Sequence, residues 1–190
     1  MAEIIEVLRE EHRNIEKLLL VLEQELNVFD RGNRPDYEVV LAVIEYFKKY
    51  PDSYHHPKED IIFEKFKARD PVGATAVDNL QAEHQEMAAR LRRVVDAVEQ
   101  VLKDQILPRQ TVDGIIRDFI DHERQHMAME ERTVFPAVLG ALRPKDWADI
   151  ALKIVDRYGP PSEPDFEEQF STFRRNILDL ERDAEATRSA

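Results

Sequence analysis

The chain has 190 residues, 43% of them hydrophobic and 35% charged, which is the composition of one helical domain of ordinary soluble type, with or without an appendage. Its formal net charge of −12 disfavours nucleic acid and an anionic membrane surface as partners, because both are bound by clustered lysine and arginine. The absence of cysteine excludes disulfides, thiolate metal sites and thiol catalysis, so any metal ion must be held by nitrogen and oxygen ligands.

The first predicted helix begins in an amphipathic, acidic stretch, MAEIIEVLREEH, that is unlike a signal peptide. Its apolar and histidine positions fall alternately three and four residues apart, which places them on one face of a helix. They are Ile5, Leu8, His12, Ile15, Leu19, Leu22, Leu26 and Phe29. No apolar run in the chain approaches the roughly 20 residues that span a bilayer, and we expect a cytoplasmic location.

The second predicted helix follows turn residues at 31–36 and carries a similar stripe. Its members are Val40, Ile44, Phe47, His55, Glu59, Ile62 and Phe66. Pro51 and Pro57 lie inside this helix. Because proline removes a backbone hydrogen bond and crowds the preceding turn, at a cost of about 3 kcal/mol, a kink or bulge is predicted beside His55 and His56.

Two further amphipathic helices follow the breaks at 70–73 and at Leu107-Pro108. The third carries Val77, Leu80, His84, Met87, Leu91, Val94, Val98 and Leu102, and the fourth carries Ile115, Phe119, His122, His126, Met129, Thr133 and Ala137. Four long helices joined by short loops predict an all-α fold, an antiparallel up-down-up-down four-helix bundle over residues 1–140.

Residues 141–190 are predicted to form a C-terminal helical extension. A short helix at about 143–156 is followed by a proline-rich linker, YGPPSEP, at 158–164. A last helix at about 165–184 presents apolar residues that need a covering surface, either the side of the bundle or a second copy of the chain in a homo-oligomer. These residues are Phe166, Phe170, Phe173, Ile177 and Leu180.

A weak internal repeat connects the two halves of the bundle. Each half reads Glu-His on one helix and His-x-x-x-Glu on the next. The first pattern falls at 11–12 and 83–84, and the second at 55–59 and 126–130. An ancestral two-helix unit that was used twice would produce this arrangement.

The histidines indicate a metal site. All six lie on the four bundle helices, and a buried imidazole must satisfy two polar nitrogens, for which a metal ion is the simplest shared partner. Residues four apart project to the same side of a helix, so two His-x-x-x-Glu pairs and a histidine from each remaining helix can converge at one level. Imidazole and carboxylate together suit two six-coordinate ions, iron before manganese, with positions left for an oxo or hydroxo bridge and an exogenous ligand.

The segments REEHRNIEKLL, YHHPKEDIIF, LQAEHQEM and RQHMAMEERTVFPAV together resemble a bacterial haemerythrin-like domain of the HHE cation-binding type. The resemblance covers residues 1–140 and implies two iron ions, for which manganese or zinc can substitute in a purified sample. The ligands that it implies, with Glu59 and Glu130 bridging, are His12, His55, Glu59, His84, His126 and Glu130. His56 is expected beside the ligands or as a further one. His122 is expected as a hydrogen-bond partner, a packed residue or a ligand, and the Tyr54 phenol is within reach of the site.

The sequence departs from the oxygen-carrying haemerythrins, which have H-x-x-x-H on the third helix and H-x-x-x-x-D on the fourth. These departures disfavour simple oxygen transport and favour the related proteins that handle peroxide or nitric oxide, or that sense iron and oxygen. The function we expect is binding or processing of a small oxidant (dioxygen, peroxide or nitric oxide), including a catalase-like reaction. The alternative is a non-enzymatic sensor or iron store that signals through the C-terminal helix. A ferritin-like di-iron site would need two E-x-x-H pairs, of which only 123–126 is present, and a purely structural bundle would bind no metal.

Overall fold

The computed structural model describes residues 3–158 and 166–189, and within these ranges the regular structure is entirely helical, which confirms the all-α prediction. The α-helices are α1 (Glu3–Asp30), α2 (Tyr37–Tyr50), α3 (His56–Arg69), α4 (Ala74–Leu102), α5 (Arg109–Met129), α6 (Phe135–Ala141), α7 (Pro144–Tyr158) and α8 (Phe166–Ser189). Two π-helical segments, Pro51–His55 and Glu130–Val134, join α2 to α3 and α5 to α6 without a break. The predicted proline-rich linker lies outside the described residues beyond Tyr158.

Each π-helical segment ends two residues before a proline, Pro57 or Pro136. In a π-helix the hydrogen bond reaches five residues back, and the N–H groups of His56 and Phe135 donate to the carbonyls of Pro51 and Glu130. A proline has no N–H and crowds the carbonyl four residues earlier, so the chain widens the preceding turn. The bulge predicted beside His55 is therefore confirmed, whereas the second bulge was not predicted.

The helices form four rods: α1, α2 with α3, α4, and α5 with α6. The rods pack against one another: α1 contacts α2 and α5, α4 contacts α2, α3 and α5, and α3 contacts α6. The Asp36 carboxylate caps the second rod by accepting from the N–H groups of Glu38 and Val39 at 2.9 and 3.3 Å, as the turn residues indicated.

The buried apolar residues form two clusters that are separated by a polar layer. On α1, Leu8 belongs to one cluster and Ile15 to the other, with His12 between them. On α4, Leu80 and Val94 are divided in the same way. The same division crosses the two rods that contain the π segments. The histidines and glutamates singled out above therefore lie at one depth, enclosed by apolar packing on both sides.

The C-terminal helices pack against the rods of their own chain. Arg69 on α3 donates to Asp146 on α7, with shortest distances of 2.8 Å and 2.7 Å to the two carboxylate oxygens. The helix α8 lies on α1 and α2, where Phe170 joins the larger apolar cluster and Phe173 packs against it. At its end, Arg188 pairs with the buried carboxylate of Glu25 at 2.8 Å. The covering surface of this helix is thus formed by α1 and α2 of its own chain, and the homo-oligomer and the boundary at residue 140 stay predictions.

None of the helices in the described part of the chain is both long enough and apolar enough to cross a bilayer.

Candidate metal centre

Seven side chains from all four rods converge in the polar layer. They are His12 from α1, His55 from the first π segment, His56 and Glu59 from α3, His84 from α4, His126 from α5 and Glu130 from the second π segment. The two glutamates are 0% exposed, and the histidines are buried or nearly so. All six residues that the family resemblance implied are brought together, and His56 joins them.

The seven residues form two groups that share Glu59. The first group comprises His12, His55, Glu59 and Glu130, and the second comprises His56, Glu59, His84 and His126. Within each group, one nitrogen or oxygen atom per residue lies within 4.8 Å of every other. The structure thus answers whether His55 or His56 faces the layer: both do, one in each group.

In the first group, two imidazole nitrogens point at the same place. The Nε2 atoms of His12 and His55 are 3.2 Å apart. His55 Nε2 lies 3.2 Å from Glu59 Oε1, and His12 Nε2 lies 3.3 Å from Glu130 Oε2. Two lone pairs and two carboxylate oxygens therefore surround a common point.

The second group takes the other oxygen of each carboxylate. His84 Nε2 lies 3.7 Å from Glu59 Oε2, and His126 Nε2 lies 3.3 Å from Glu130 Oε1. The rings of His56 and His84 stack at a centroid distance of 3.9 Å. Each glutamate thus directs one oxygen towards each group, which is the arrangement of a carboxylate that bridges two cations.

The Nδ1 atoms of three histidines, which face away from the centre, are held by carboxylates. Glu11 lies 2.8 Å from the Nδ1 atom of His55, and Glu83 lies 3.0 Å from that of His126. Glu131 lies 3.0 Å from the Nδ1 atom of His12. A proton on Nδ1 that is donated to a carboxylate leaves the lone pair of Nε2 directed at the centre and makes that nitrogen a stronger ligand.

Sequence reasoning missed the role of Glu11 and Glu83, although the signal was present in the repeat. In each half, the glutamate of the Glu-His pair holds the histidine of the following His-x-x-x-Glu pair. The histidine of the Glu-His pair itself faces the centre. One dipeptide therefore supplies both a histidine that faces the centre and the support for a second such histidine on the next rod.

The carboxylates also control the charge of the histidines. Burial lowers the pKa of His12, but the adjacent Glu130 and Glu59 outweigh it and raise that pKa to about 10. Burial is likewise outweighed at His55 and His126, whose pKa values rise to about 9 and about 10 beside Glu59 and Glu130. Burial and the neighbouring His56 lower the pKa of His84 to about 3. Protons and cations therefore compete for the same nitrogens.

The residues fit a pair of cations because their buried polar atoms otherwise have no hydrogen-bond partner. Both carboxylate oxygens of Glu59 and of Glu130, and the Nε2 atoms of His84 and His126, are buried without a hydrogen bond. The contacts of these atoms with the surrounding histidines and glutamates, at 3.2 to 3.7 Å, lack hydrogen-bond geometry. Unpartnered buried carboxylates are strongly unfavourable, and cations would satisfy them.

The remaining candidates lie in neither group. His122 has a buried Nε2 atom without a hydrogen bond, and burial, with the charge of Arg90, lowers its pKa. Tyr54 is buried, and its ring contacts Tyr50, Tyr158 and the Lys58 ammonium. Glu123, the acid of the single E-x-x-H pair, is buried, which raises its pKa. A ferritin-like site would need two E-x-x-H pairs, and among the described residues the acid of the one pair present, Glu123, lies in neither group.

The helical fold and the two His/Glu groups define a metal-binding helical protein. Residues 3–138 match the Hemerythrin HHE cation binding domain, and the chain belongs to this family. The match covers all four rods and all seven residues of the two groups. Comparison with curated proteins and with solved structures gave no significant match.

Proposed function

We propose that this protein binds two iron ions, one in each group, and that coordination positions left open on them take a small oxidant: dioxygen, peroxide or nitric oxide. The observation that carries the proposal is the division of Glu59 and Glu130, each with one oxygen towards either group. Iron bound by imidazole and carboxylate supplies reversible one-electron chemistry and vacant positions for such a ligand.

The residues of the chain supply the donor atoms, exclude water and orient the histidines. Five imidazoles and two carboxylates give each group four or five donor atoms, fewer than the roughly six that iron takes. The apolar clusters on both sides, with the Phe135 ring stacked 5.6 Å from His12, exclude bulk water from the layer. Glu11, Glu83 and Glu131 keep the proton on the outer nitrogen of their histidines, so the inner nitrogens stay available.

The up-down-up-down arrangement belongs to the same proposal. Successive rods are joined by short connections at 31–36, 70–73 and 103–108, and each successive pair of rods is in contact. Rods joined by short loops run in opposite directions when they pack side by side. Such a bundle would bring one ligand-bearing level of each rod together, as convergence of the groups requires.

The test compares two glutamates of one helix. Glu59→Gln removes a carboxylate shared by both groups, and we expect it to lose both ions, because an amide does not bridge cations. Glu64→Gln is the matched control, since Glu64 on the same helix is exposed, pairs with Lys153 at 3.5 Å and lies in neither group. Iron content and the absorption spectrum of both variants are measured after identical loading. If Glu59→Gln keeps two ions per chain, the proposed site is wrong.

A second candidate function is a sensor that signals through α8, and one row of rings favours it. Phe170 of α8 lies 4.9 Å from the Tyr50 ring, which in turn stacks 6.3 Å from His55. The two functions are separated by adding peroxide to the iron-loaded chain. Rapid oxygen evolution supports processing of the oxidant, whereas no turnover together with altered protease sensitivity of α8 supports sensing.

A further inference from the structure

Three tyrosines form a row from the first group to the surface. The Tyr50 ring lies 6.3 Å from the His55 ring with 21° between their planes, and the Tyr54 ring lies 5.6 Å from Tyr50. The Tyr158 ring lies 5.1 Å from Tyr54. Tyr50 and Tyr54 are buried, whereas Tyr158, at the end of α7, is half-buried. The row thus runs from a ring that faces the metal centre to a ring in contact with solvent.

We propose that this row conducts single electrons from a reductant at Tyr158 to the metal centre, so that the protein reduces peroxide at the expense of an external one-electron donor. The inference rests on the proposed function, since it requires an oxidant at the centre. Phenols are the oxidisable side chains that the row offers, and the chain has no cysteine to compete with them. The only tryptophan, Trp147, belongs to the apolar cluster on the far side of the polar layer.

The electrons and protons balance with a donor of the phenol or ascorbate class. Reduction of one hydrogen peroxide to two water molecules breaks the O–O bond and takes up two electrons and two protons. Each electron leaves Tyr158 together with the proton of its hydroxyl group, which passes to solvent. The donor then returns one hydrogen atom to the Tyr158 oxygen, and the cycle runs twice per peroxide.

The surroundings of Tyr54 are compatible with this transfer. The Lys58 ammonium lies 3.4 Å from the centre of the Tyr54 ring, and an unpaired cation there would oppose removal of an electron. Lys58 is, however, paired with the Glu11 carboxylate, so the ring faces a neutral pair. The same carboxylate holds His55, which places the row and the ligand on one support.

The position of Tyr158 is fixed by the backbone of the π segment. Its hydroxyl group donates to the carbonyls of Ser53 and Tyr54 at 3.4 and 3.5 Å. Tyr46 lies 4.9 Å from Tyr50 as a side branch, but it is fully buried and its hydroxyl accepts from Arg174. Tyr158 ends the row and Tyr46 ends the side branch, and of these two Tyr158 is therefore the one that a donor can reach.

The experiment adds hydrogen peroxide to the iron-loaded full chain, with freeze-quenched electron paramagnetic resonance and mass spectrometry of oxidised tyrosines as readouts. We expect a tyrosyl radical, with covalent oxidation concentrated at Tyr158. Tyr158→Phe should lose the Tyr158 product and the oxidation of ascorbate, yet keep its iron. Tyr37→Phe is the control, because Tyr37 begins α2 at the opposite end from the π segment, and it should match the parent chain.

Tyr50→Phe tests the inner step and should lose the radical at Tyr158, with helix content and iron content checked by circular dichroism and elemental analysis. Because Tyr158 is half-buried, its variant keeps the test valid if Tyr50→Phe does not fold. Peroxide consumption by iron-loaded protein without any tyrosyl radical, or an unchanged radical in Tyr50→Phe, overturns the electron route alone. Iron-loaded protein that leaves peroxide intact likewise overturns the electron route, while binding or sensing of an oxidant still stands. A chain that binds no iron overturns the route together with the function on which it rests.

Discussion

The two halves of the metal centre follow one pattern but are enclosed differently. Glu11, which holds His55, has a 3% exposed side chain and also binds the buried Lys58. Glu83, which holds His126, has a 35% exposed side chain. Three residues after the histidine, the first half has Lys58 and the second has Met129, which is 49% exposed. One repeated motif therefore yields a support sealed inside the protein and another in contact with water.

The difference shows that the ligands and their environment are specified separately. The Glu-His and His-x-x-x-Glu residues place the donor atoms in both halves. The dielectric around each support depends on neighbours outside the motif, such as Lys58 and the rings that cover it. A charge interaction at Glu11 should therefore be stronger than its counterpart at Glu83.

The largest difference is expected from Lys58→Met, which gives the first half the residue type of the second. It removes the Lys58 ammonium from the buried Glu11 carboxylate, which keeps only its contact with His55, and loss of one partner of a buried pair costs up to about 3–5 kcal/mol. Urea unfolding of the metal-free protein measures the change. Lys65→Met is the control, because Lys65 pairs with Asp149 at a more exposed place and should cost no more than about 1 kcal/mol. Equal losses in the two variants would contradict the difference in enclosure.

Glu11→Gln and Glu83→Gln should weaken metal binding unequally. Loss of a carboxylate that supports a histidine ligand lowers metal affinity by about 10- to 100-fold, and we expect Glu11→Gln to lie at the upper end of this range. Water can replace the more exposed Glu83 carboxylate as acceptor for His126, so Glu83→Gln should lie at or below the lower end. Competition with a coloured chelator gives both affinities, and a larger loss for Glu83→Gln would reverse the comparison.

The stability of the metal-free protein should depend on pH in a similar way through both halves. In metal-free protein the pKa values of His55 and His126 are raised to about 9 and about 10, so their protonation stabilises the fold fully below the ordinary histidine pKa of roughly 6.5. This contribution is lost as pH rises through 9 and 10. The urea midpoint should therefore fall between pH 7 and pH 10 without metal, and far less with metal bound, since bound histidines are already neutral. An unchanged midpoint in metal-free protein would show that these histidines are not charged at pH 7.

The smallest effects are expected at the two prolines. Pro57→Ala and Pro136→Ala give the unfolded chain more freedom, which should lower the free energy of unfolding by about 0.4–1 kcal/mol in either half. Both prolines occupy the first turn of a helix, α3 or α6, where their fixed backbone angle is already suitable. Urea unfolding of the two variants is the test. A loss well above this range at one proline alone would mean that the π segments are not equivalent.

Much of the centre could be predicted from the sequence because its ligands repeat at helical spacing. The stripes of apolar residues gave the helices, and His12, His84 and the two His-x-x-x-Glu pairs were brought together as expected. The burial of Glu11 and Lys58 and their pairing with each other could not be obtained in this way. Both read as ordinary exposed charges on a helix, and only the packing of α1 on the second rod buries them.

Whether His56 faces the centre depends on how far the helix rotates through the turn before it, and residue spacing alone does not determine that rotation. Neighbouring residues of a helix point about 100° apart, so a regular helix continued from Tyr50 predicts a different face from one with a widened turn. Pro57 indicated the distortion, but not its size. The docking of α8 was open for a similar reason, because an apolar stripe such as that of Phe170 and Ile177 shows that a surface is needed without showing which one.

The two widened turns also restrict where the gene can gain or lose codons. Each π segment carries one residue more than the turn of a regular helix would hold, so removal of a single residue such as Ser53 would restore regular winding. Because the widened turn absorbs the extra residue, the helices on its two sides would keep nearly the same relative rotation after that deletion. A single-codon deletion in a regular stretch of a rod should instead turn the residues on one side by about 100° and disable the centre, whereas one at 52–54 or 131–133, or in the loops between the rods, should keep the faces aligned.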